Sequence, residues 1–458
     1  MTPDKTLLRE IFLTALRAVD VHFTVTRHIT ATPTTIQIGP YTTPTSQIEN
    51  IAIIAVGKAA APMAEAAQAA LTPAKITQDT IIIAPTHPTT LPPNTTFYQG
   101  PHPTPNEHSL TAASAVLHRL HSVTPRTLVL FLISGGASAM LEQPLDPTIT
   151  LAELADFHRA LVASGLPIAH MNVLRKHLSA VKGGRLALAA SNALAQITLI
   201  VSDVPTATPD TVASGPSIPD PSTTADCRRI LTTLQPNTLP PHIHSFLSSP
   251  NLPETPKPDH PAFARSHWQQ ILSSDDLAQA AAQAATAAGL TPVIDNTCDD
   301  WDYRRAALYL LNRATQLPHQ PNRTCLISTG EVAVTLDHPA GTGGRNAQFA
   351  LFCAAQLDES PHAITVLSAG SDGIDGNSPA AGALADHQTY PRARTHHLNP
   401  EEALTQFNAH PLFQALGDAL QTGPTGNNLR DLRLLLPNPP EPNAPNPSRA
   451  PFIAAPPR

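Results

Sequence analysis

The sequence predicts an α/β protein whose largely parallel sheets are covered by helices on both faces. Three observations predict it. Strand-length runs such as "NIAIIAVG", "TLVLFLIS" and "QITLIVSD" are apolar throughout instead of alternating, which is the pattern of strands buried on both faces. Helix-forming stretches separate these runs, as parallel crossovers require. The alternation also falls into two blocks, parted by a stretch rich in proline, histidine and serine from Gln235 to Pro261 that reads as a loop or linker.

The elements follow in order. "MTPDKTLLREIFLTALRAVD" carries charges through its apolar residues and reads as an amphipathic helix, not a signal peptide. A strand spans Asn50 to Gly57, and a helix spans Ala59 to Leu71 with Pro62 confined to its first turn. Asp79 to Ala84 is the next strand. "NEHSLTAASAVLHRL" places Leu110, Ala113, Leu117 and Leu120 on one helical face. Strands at Thr127 to Ser134 and Gln196 to Asp203 flank the helix "TLAELADFHRALVASG", which Gly165 closes. The second block reads as helix "SDDLAQAAAQAATAAG", strand "TPVID", helix "DYRRAALYLLNRATQ", strand segment "TCLISTGEVAVTL", a helix from Asn346, strand "AITVLSAG" and a last short strand, Leu432 to Leu436. The expected domains are 1–260 and 261–436. Residues 437–458 are proline-rich, offer little apolar surface and are expected to be a disordered tail.

Composition narrows the function. Net charge is -7 and no basic block occurs, which argues against a nucleic-acid binder relying on phosphate neutralisation. The four cysteines form no C-x-x-C pair and read as free thiols in a reducing compartment, so a cytoplasmic protein is expected. No apolar run has the length of a membrane span.

Open parallel sheets bind ligands beyond the carboxyl ends of their strands, and several predicted strands end there in small, polar or charged residues. Lys58 follows Gly57. It is not a Walker lysine, because Ala52 and Ala59 stand where that loop needs glycine and serine or threonine. A cation beside a helix start opposes the dipole, and a bound anion would relieve that cost; a solvated lysine is the plain alternative. Ser134, Gly135, Gly136 and Ser138 offer closely spaced amides, or simply a tight turn. Gly330 and Glu331 end a later strand. Gly341, Gly343 and Gly344 precede Arg345, again a cation at a predicted helix start, and Asn346 occupies the third glycine position of a dinucleotide pattern. Asp372 and Asp375 lie in "SAGSDGIDGNS". A carboxylate near phosphates holds Mg²⁺ or orients a hydroxyl, whereas Asx-turns would account for Asp375; Asp203 has the same two readings. Asn172, Arg175, Lys176 and Ser179 share a helical face in a basic stretch that also holds His177, Lys182 and Arg185. It is either a solvated face or a ligand-facing one.

Taken together, "AVGKAA", "GPHPTPNEHSL", "LISGGASAML", "NVLRKHLSAVKGGRLA", "LIVSDVP", "ASGPSIPDPST", "STGEVAVTL", "GTGGRNAQFAL", "SAGSDGIDG" and "TGPTGNNLRDL" resemble the bacterial and animal glycerate 2-kinase family. Its C-terminal half is called the MOFRL domain, and its members are often labelled hydroxypyruvate reductases. The resemblance runs from about Ile51 to Leu432. It implies two α/β domains with Rossmann-like sheets and an active site between them. It also implies ATP-dependent phosphorylation of D-glycerate at its 2-hydroxyl, with Mg²⁺. The family's active-site lysine falls on Lys58 and its arginine on Arg345. Its acidic positions fall on Asp203 and Asp372, for the metal or the hydroxyl. Ser134, Gly135, Gly136, Ser138, Asn172, Arg175, Lys176, Gly330, Glu331, Gly343, Gly344 and Asn346 are the expected substrate and nucleotide contacts. The chain departs from the family at Ala137, Ser371 and Asn427. The expected partner is the small-molecule substrate, without nucleic acid or membrane; a homodimer is compatible with the sequence. The rival readings are an NAD(P)H-dependent hydroxypyruvate reductase, for which no strand is followed by G-x-G-x-x-G, and an anion sensor on the same scaffold.

Overall fold

The computed structural model describes residues 2–101, 103–202, 209–317, 322–358, 360–438 and 452. Its packing divides the chain into two units, residues 21–273 and residues 1–20 with 274–458. This corrects the contiguous division at 260. The N-terminal helix, Pro3–Ala18, is amphipathic as expected and buries Leu8, Ile11, Phe12 and Ala15. It packs on the helix Ser274–Ala287 of the C-terminal unit. Its Lys5 is fully buried there, between Asp418 at 2.8 Å and Asp386 at 3.2 Å. No local pattern announces such a long-range anchor.

The unit of residues 21–273 begins with a small antiparallel sheet of β1 (Ile29–Ala31), β2 (Thr35–Ile38) and β3 (Tyr41–Pro44). Its main sheet comprises β4 (Asn50–Val56), β5 (Thr77–Ala84), β6 (Thr95–Gln99), β7 (Thr127–Ile133), β8 (Ala195–Val201) and β9 (Ser266–Leu272). The order is β6-β5-β4-β7-β8-β9 and every pairing is parallel. Counted along the chain, that order is 3-2-1-4-5-6, the doubly wound arrangement, with a topological switch point between β4 and β7. Every residue of β7 and β8 is buried, as their unbroken apolar runs require. The expected linker at 235–261 lies inside this unit. Its helix Pro241–Ser248 buries Ile243 and Leu247 in one cluster with Phe157, Leu161 and Leu174. Its prolines do not break the helix, because Pro241 sits in the first turn. In the helix Glu107–His121 the buried stripe is Ala112, Ala113, Val116 and Leu120, with Leu110 and Leu117 only half-buried beside it.

The second unit holds β10 (Thr291–Ile294), β11 (Thr324–Gly330), β12 (Ile364–Gly370), β13 (Gly382–Ala385), β14 (Ala419–Leu420) and β15 (Asp431–Pro437), in the order β10-β11-β15-β12-β13-β14. Only β10 and β11 pair in parallel; β15 returns antiparallel between β11 and β12. The expectation of a largely parallel sheet therefore holds for the first unit and not for this one. A run such as "LRLLL" reports burial on both faces, but carries no direction. The reversal matters for the site: β15 starts where β11 and β12 end, so Asp431 pairs in register with both Gly330 and Gly370. Beyond β15, the tail call falls outside the described residues except at Asn438 and Phe452.

Candidate active site

In the first unit the candidate residues gather at the switch point. Gly57 follows β4 with φ +122°, and a Cβ there would lie 2.3 Å from Ser134 Oγ. Only glycine meets both demands. The Lys58 N–H donates to the Gly135 carbonyl at 2.9 Å, and the Ala59 N–H donates to Ser134 Oγ at 3.0 Å. The two turns are thus tied together, and half-buried Lys58 immediately precedes Ala59, the N-cap residue of the helix Ala60–Leu71. That helix has no side-chain N-cap, so its first amides lack the usual Ser, Thr, Asp or Asn partner. Gly136, at φ +84°, opens the short turn Ala137–Met140. Ser138 Oγ lies 3.1 Å from Ser214 Oγ; Ser214 Oγ donates to Asn172 Oδ1 at 3.0 Å, which also accepts from Arg175 Nη1 at 3.5 Å. The structure therefore joins Ser138, Asn172 and Arg175 through Ser214, which the sequence reading did not single out.

The basic stretch is neither a solvated face nor wholly ligand-facing. Lys176 is buried and ion-paired to Asp210 at 2.6 Å and Asp220 at 3.1 Å. Ser179 ends its helix and donates to Glu142, which also takes the Lys182 ammonium and lies 3.3 Å from His158. Burial works to raise the Glu142 carboxyl, but Lys182 and His158 outweigh it and hold the group down at about 2. These partners lie 34 to 44 residues from their lysines, where no motif could reveal them. Asp203 lies outside the described residues.

In the second unit the candidates meet at the end of the sheet where β11 and β12 finish and β15 begins. Arg345 opens the helix Arg345–Asp358. Its Nε and Nη2 donate to Asp431 at 2.6 and 3.0 Å, and its Nη1 donates to Glu331 at 2.7 Å. The expectation that a cation at this helix start calls for an outside anion is corrected here, because the protein supplies the anions. Asp375, 1% exposed, accepts the Asn346 and Ala347 N–H groups at 2.9 and 2.8 Å, capping the helix. Among the described residues, partners engage three of the five guanidinium N–H donors. Burial disfavours the Arg345 charge, but Asp431 and Glu331 together push the guanidinium above its ordinary value. Glu331 moves up as well, because burial there exceeds the pull of Arg345.

The remaining candidates divide. A Cβ on Gly344 would come within 2.3 Å of Asp375 Oδ1, so this glycine makes room for the cap. Gly343 donates its N–H to Asn377 Oδ1 at 2.8 Å. Gly330, at φ +111°, would place a Cβ 2.5 Å from Asp299 Oδ1. The Asn346 side chain is buried and accepts from Ser368 Oγ at 2.7 Å, so it ties the helix to β12. Asp372 Oδ1 accepts the Ile374 N–H at 3.1 Å in an Asx-turn. Asp372 and Asp431 each place an Oδ1 within 3.5 Å of where a Gly370 Cβ would stand. Asp431, the residue that organises this edge, went unnoticed in the sequence. Among the described residues no group of three or more His, Cys, Asp or Glu is placed to hold a metal ion.

A doubly wound sheet with a polar switch point, and a second sheet ending in an arginine–carboxylate cluster, define a two-unit α/β protein of phosphate- or carboxylate-handling type. Comparison with known proteins makes this specific. The family model described as "Domain of unknown function (DUF4147)" matches residues 7–248, and the one described as "MOFRL family" matches residues 324–431. A D-glycerate 2-kinase of Thermotoga maritima is 32% identical over 85% of this chain and 91% of its own. A protein of Agrobacterium vitis that carries the name hydroxypyruvate reductase is 37% identical over 73% of this chain and 76% of its own. The crystal structure of a glycerate kinase from Thermotoga maritima matches with a TM-score of 0.78 at 29% identity, covering 95% of this chain and 99% of that one. The chain belongs to the glycerate 2-kinase family.

Proposed function

We propose that this protein transfers the γ-phosphoryl group of ATP to the 2-hydroxyl of D-glycerate, giving 2-phosphoglycerate and ADP. The observation that carries this reading is the likeness, over nearly the full length of both chains, to the D-glycerate 2-kinase and glycerate kinase of Thermotoga maritima. The reductase name borne by the Agrobacterium vitis relative finds no cofactor site here. The switch point is where a dinucleotide would bind, yet its first turn reads Gly57-Lys58-Ala59-Ala60-Ala61-Pro62, with one glycine and not three.

Phosphoryl transfer asks a protein for positioning and charge neutralisation more than for covalent chemistry. Lys58 supplies an ammonium next to a helix start that has no side-chain N-cap. The Ser134 to Gly136 turn lets an anion approach the backbone. Arg345, fixed by Asp431 at Nε and Nη2 and by Glu331 at Nη1, offers its remaining N–H groups to a carboxylate or phosphoryl oxygen. Asp372 carries the oxygen chemistry that Mg²⁺ requires. That ion takes one or two protein carboxylates and fills its remaining positions with water and phosphate, so the absence of a three-carboxylate group among the described residues fits it. When bound it would neutralise charge on the β- and γ-phosphates. A cytoplasmic location belongs to the same proposal; no helix among the described residues is long and apolar enough to cross a membrane.

³¹P NMR of a reaction with ATP and D-glycerate should show 2-phosphoglycerate forming with ADP. NADH oxidation with hydroxypyruvate, without any ATP turnover, would overturn the proposal.

A further inference from the structure

Arg433 is the largest fully buried side chain among the described residues, and nothing above uses it. It sits on the central strand β15 between Leu432 and Leu434, paired in register with Ser328 and Ser368. Its Nη2 donates to the Gly330 carbonyl at 3.0 Å and lies 3.6 Å from Asp431 Oδ2. Its guanidinium lies 5.4 Å from the Phe349 ring centroid. Its Nε and Nη1 are buried without a hydrogen-bond partner among the described residues.

Such a residue is expensive. Buried polar groups without partners destabilise, and a buried charge does so more strongly unless it is well paired. An apolar residue between two leucines would fold at least as well. What the arginine adds is a second positive charge behind Asp431. Residues two apart on a strand share a face, so Asp431 and Arg433 project on the same side of β15, the side on which Phe349 packs. Asp431 is 1% exposed and stands between two guanidinium groups, Arg345 in front and Arg433 behind.

We propose that Arg433 is a positioning residue. It holds buried Asp431 aimed along the sheet edge from behind, so that Asp431 can hold Arg345 in the direction catalysis needs. This rests on the kinase reading for its activity readout, and on geometry alone for its spectroscopic one.

The variants are Arg433→Met, close in shape and uncharged, and Arg433→Lys, which keeps the charge. Arg433→Met should melt at or above the parent temperature while kcat falls at least tenfold and KM for ATP moves little. Arg433→Lys should recover a substantial part of kcat. In an Asp431→Asn background, Arg433→Met should cost little more, because its route runs through Asp431. Independently of turnover, the ¹⁵Nε–H resonance of Arg345, identified by its loss in Arg345→Lys, should be protected from exchange in the parent and unprotected in Arg433→Met. Parental kcat and an unchanged Arg345 resonance in a folded Arg433→Met would overturn the proposal, as would an equal loss with and without Asp431. Should Arg433→Met fail to fold, Arg433→Lys decides: parental kcat supports the proposal, and a loss as deep as that of Asp431→Asn overturns it. If the parent shows no glycerate phosphorylation, the kinase reading has failed, and the Arg345 resonance still decides the role of Arg433.

Discussion

The two sheets end in different kinds of chemistry. At the end of the first, backbone donors do most of the work: the Lys58 N–H donates to the Gly135 carbonyl and the Ala59 N–H to Ser134 Oγ, locking two turns together, and the helix that follows has no side-chain N-cap. At the end of the second, side chains do it: Arg345 is held by Asp431 and Glu331, and its helix is capped by Asp375. The second edge carries its own negative charge in Asp431, Glu331 and Asp375. A cation at a helix start is therefore not one signal but two. At Lys58 the helix that follows has no side-chain N-cap. At Arg345 the anion is built in, and the arginine is oriented by it.

The largest effect expected from this contrast is on turnover. Lys58→Ala and Arg345→Ala should each lose roughly a hundred- to a thousand-fold in kcat, about 3–4 kcal/mol, as for removal of one preorganised charge-stabilising group. Their stabilities should separate them. Lys58→Ala should melt like the parent. Arg345→Ala strips Asp431 and Glu331 of their shared counter-charge and should lose about 1–3 kcal/mol, less than for a fully buried pair because Arg345 is about a third exposed. Urea titrations beside steady-state kinetics give both quantities. An Arg345→Ala protein as stable as the parent would mean that the carboxylates do not need it.

The second effect is on pH dependence, and the two units should respond in opposite directions. Glu142 is held down at about 2 against an ordinary 4.5. Its stabilisation is complete above about pH 4.5 and is lost as pH falls toward 2. Asp375 is pushed up to about 6 from 3.8, because burial outweighs the Ala347 and Asn346 N–H groups that lower it. Its contribution is complete below about pH 4 and is lost as pH rises through 6. The stability advantage of the parent over Glu142→Gln should shrink on acidification. Its advantage over Asp375→Asn should shrink between pH 4 and 6 as pH rises. Each change should be on the order of 2–3 kcal/mol. Equal slopes for the two variants would show that an ion pair and a pair of helix amides treat a buried carboxylate alike.

What the sequence revealed, and what it hid, follows from the range of the interactions. β4, β7 and β8 were legible because burial on both faces leaves an unbroken apolar run. β9, "SHWQQIL", is an edge strand with mostly half-buried residues and has no such run. The helix Pro241–Ser248 was hidden by prolines that break helices elsewhere but not in a first turn. Lys58 and Arg345 stood out because charges are scarce, at 14%, and both fall at helix starts. Asp431 lies 86 residues from the arginine it holds, in a strand whose apolar pattern shows its burial but not its antiparallel direction. Without that direction nothing places its first residue at the end of β11.

The smallest expected effect concerns the chain end, where the proline-rich composition suggested a dispensable tail. Asn312, on the helix Tyr303–Thr315, donates from Nδ2 to the Phe452 carbonyl at 3.1 Å and accepts the Phe452 N–H on Oδ1 at 2.7 Å. One side-chain amide thus satisfies both backbone groups of a residue, much as a neighbouring strand would. The Phe452 ring packs against the apolar cluster that contains Leu311 and Ile364, with its centroid 5.8 Å from that of His362. Two net hydrogen bonds at about 0.5–1.5 kcal/mol each, set against the entropy of ordering the segment, leave on the order of 1 kcal/mol. Asn312→Ala and a chain ended at Asn438 should therefore each melt slightly below the parent, and the two changes together should cost no more than the truncation alone, because they remove the same contact. Activity should be unchanged, since Lys58 and Arg345 are retained. Scanning calorimetry of the two single changes and their combination checks this. A truncated protein with the parental melting temperature would return the tail to the role its composition suggests, and full additivity would mean that Asn312 stabilises its helix by some other route.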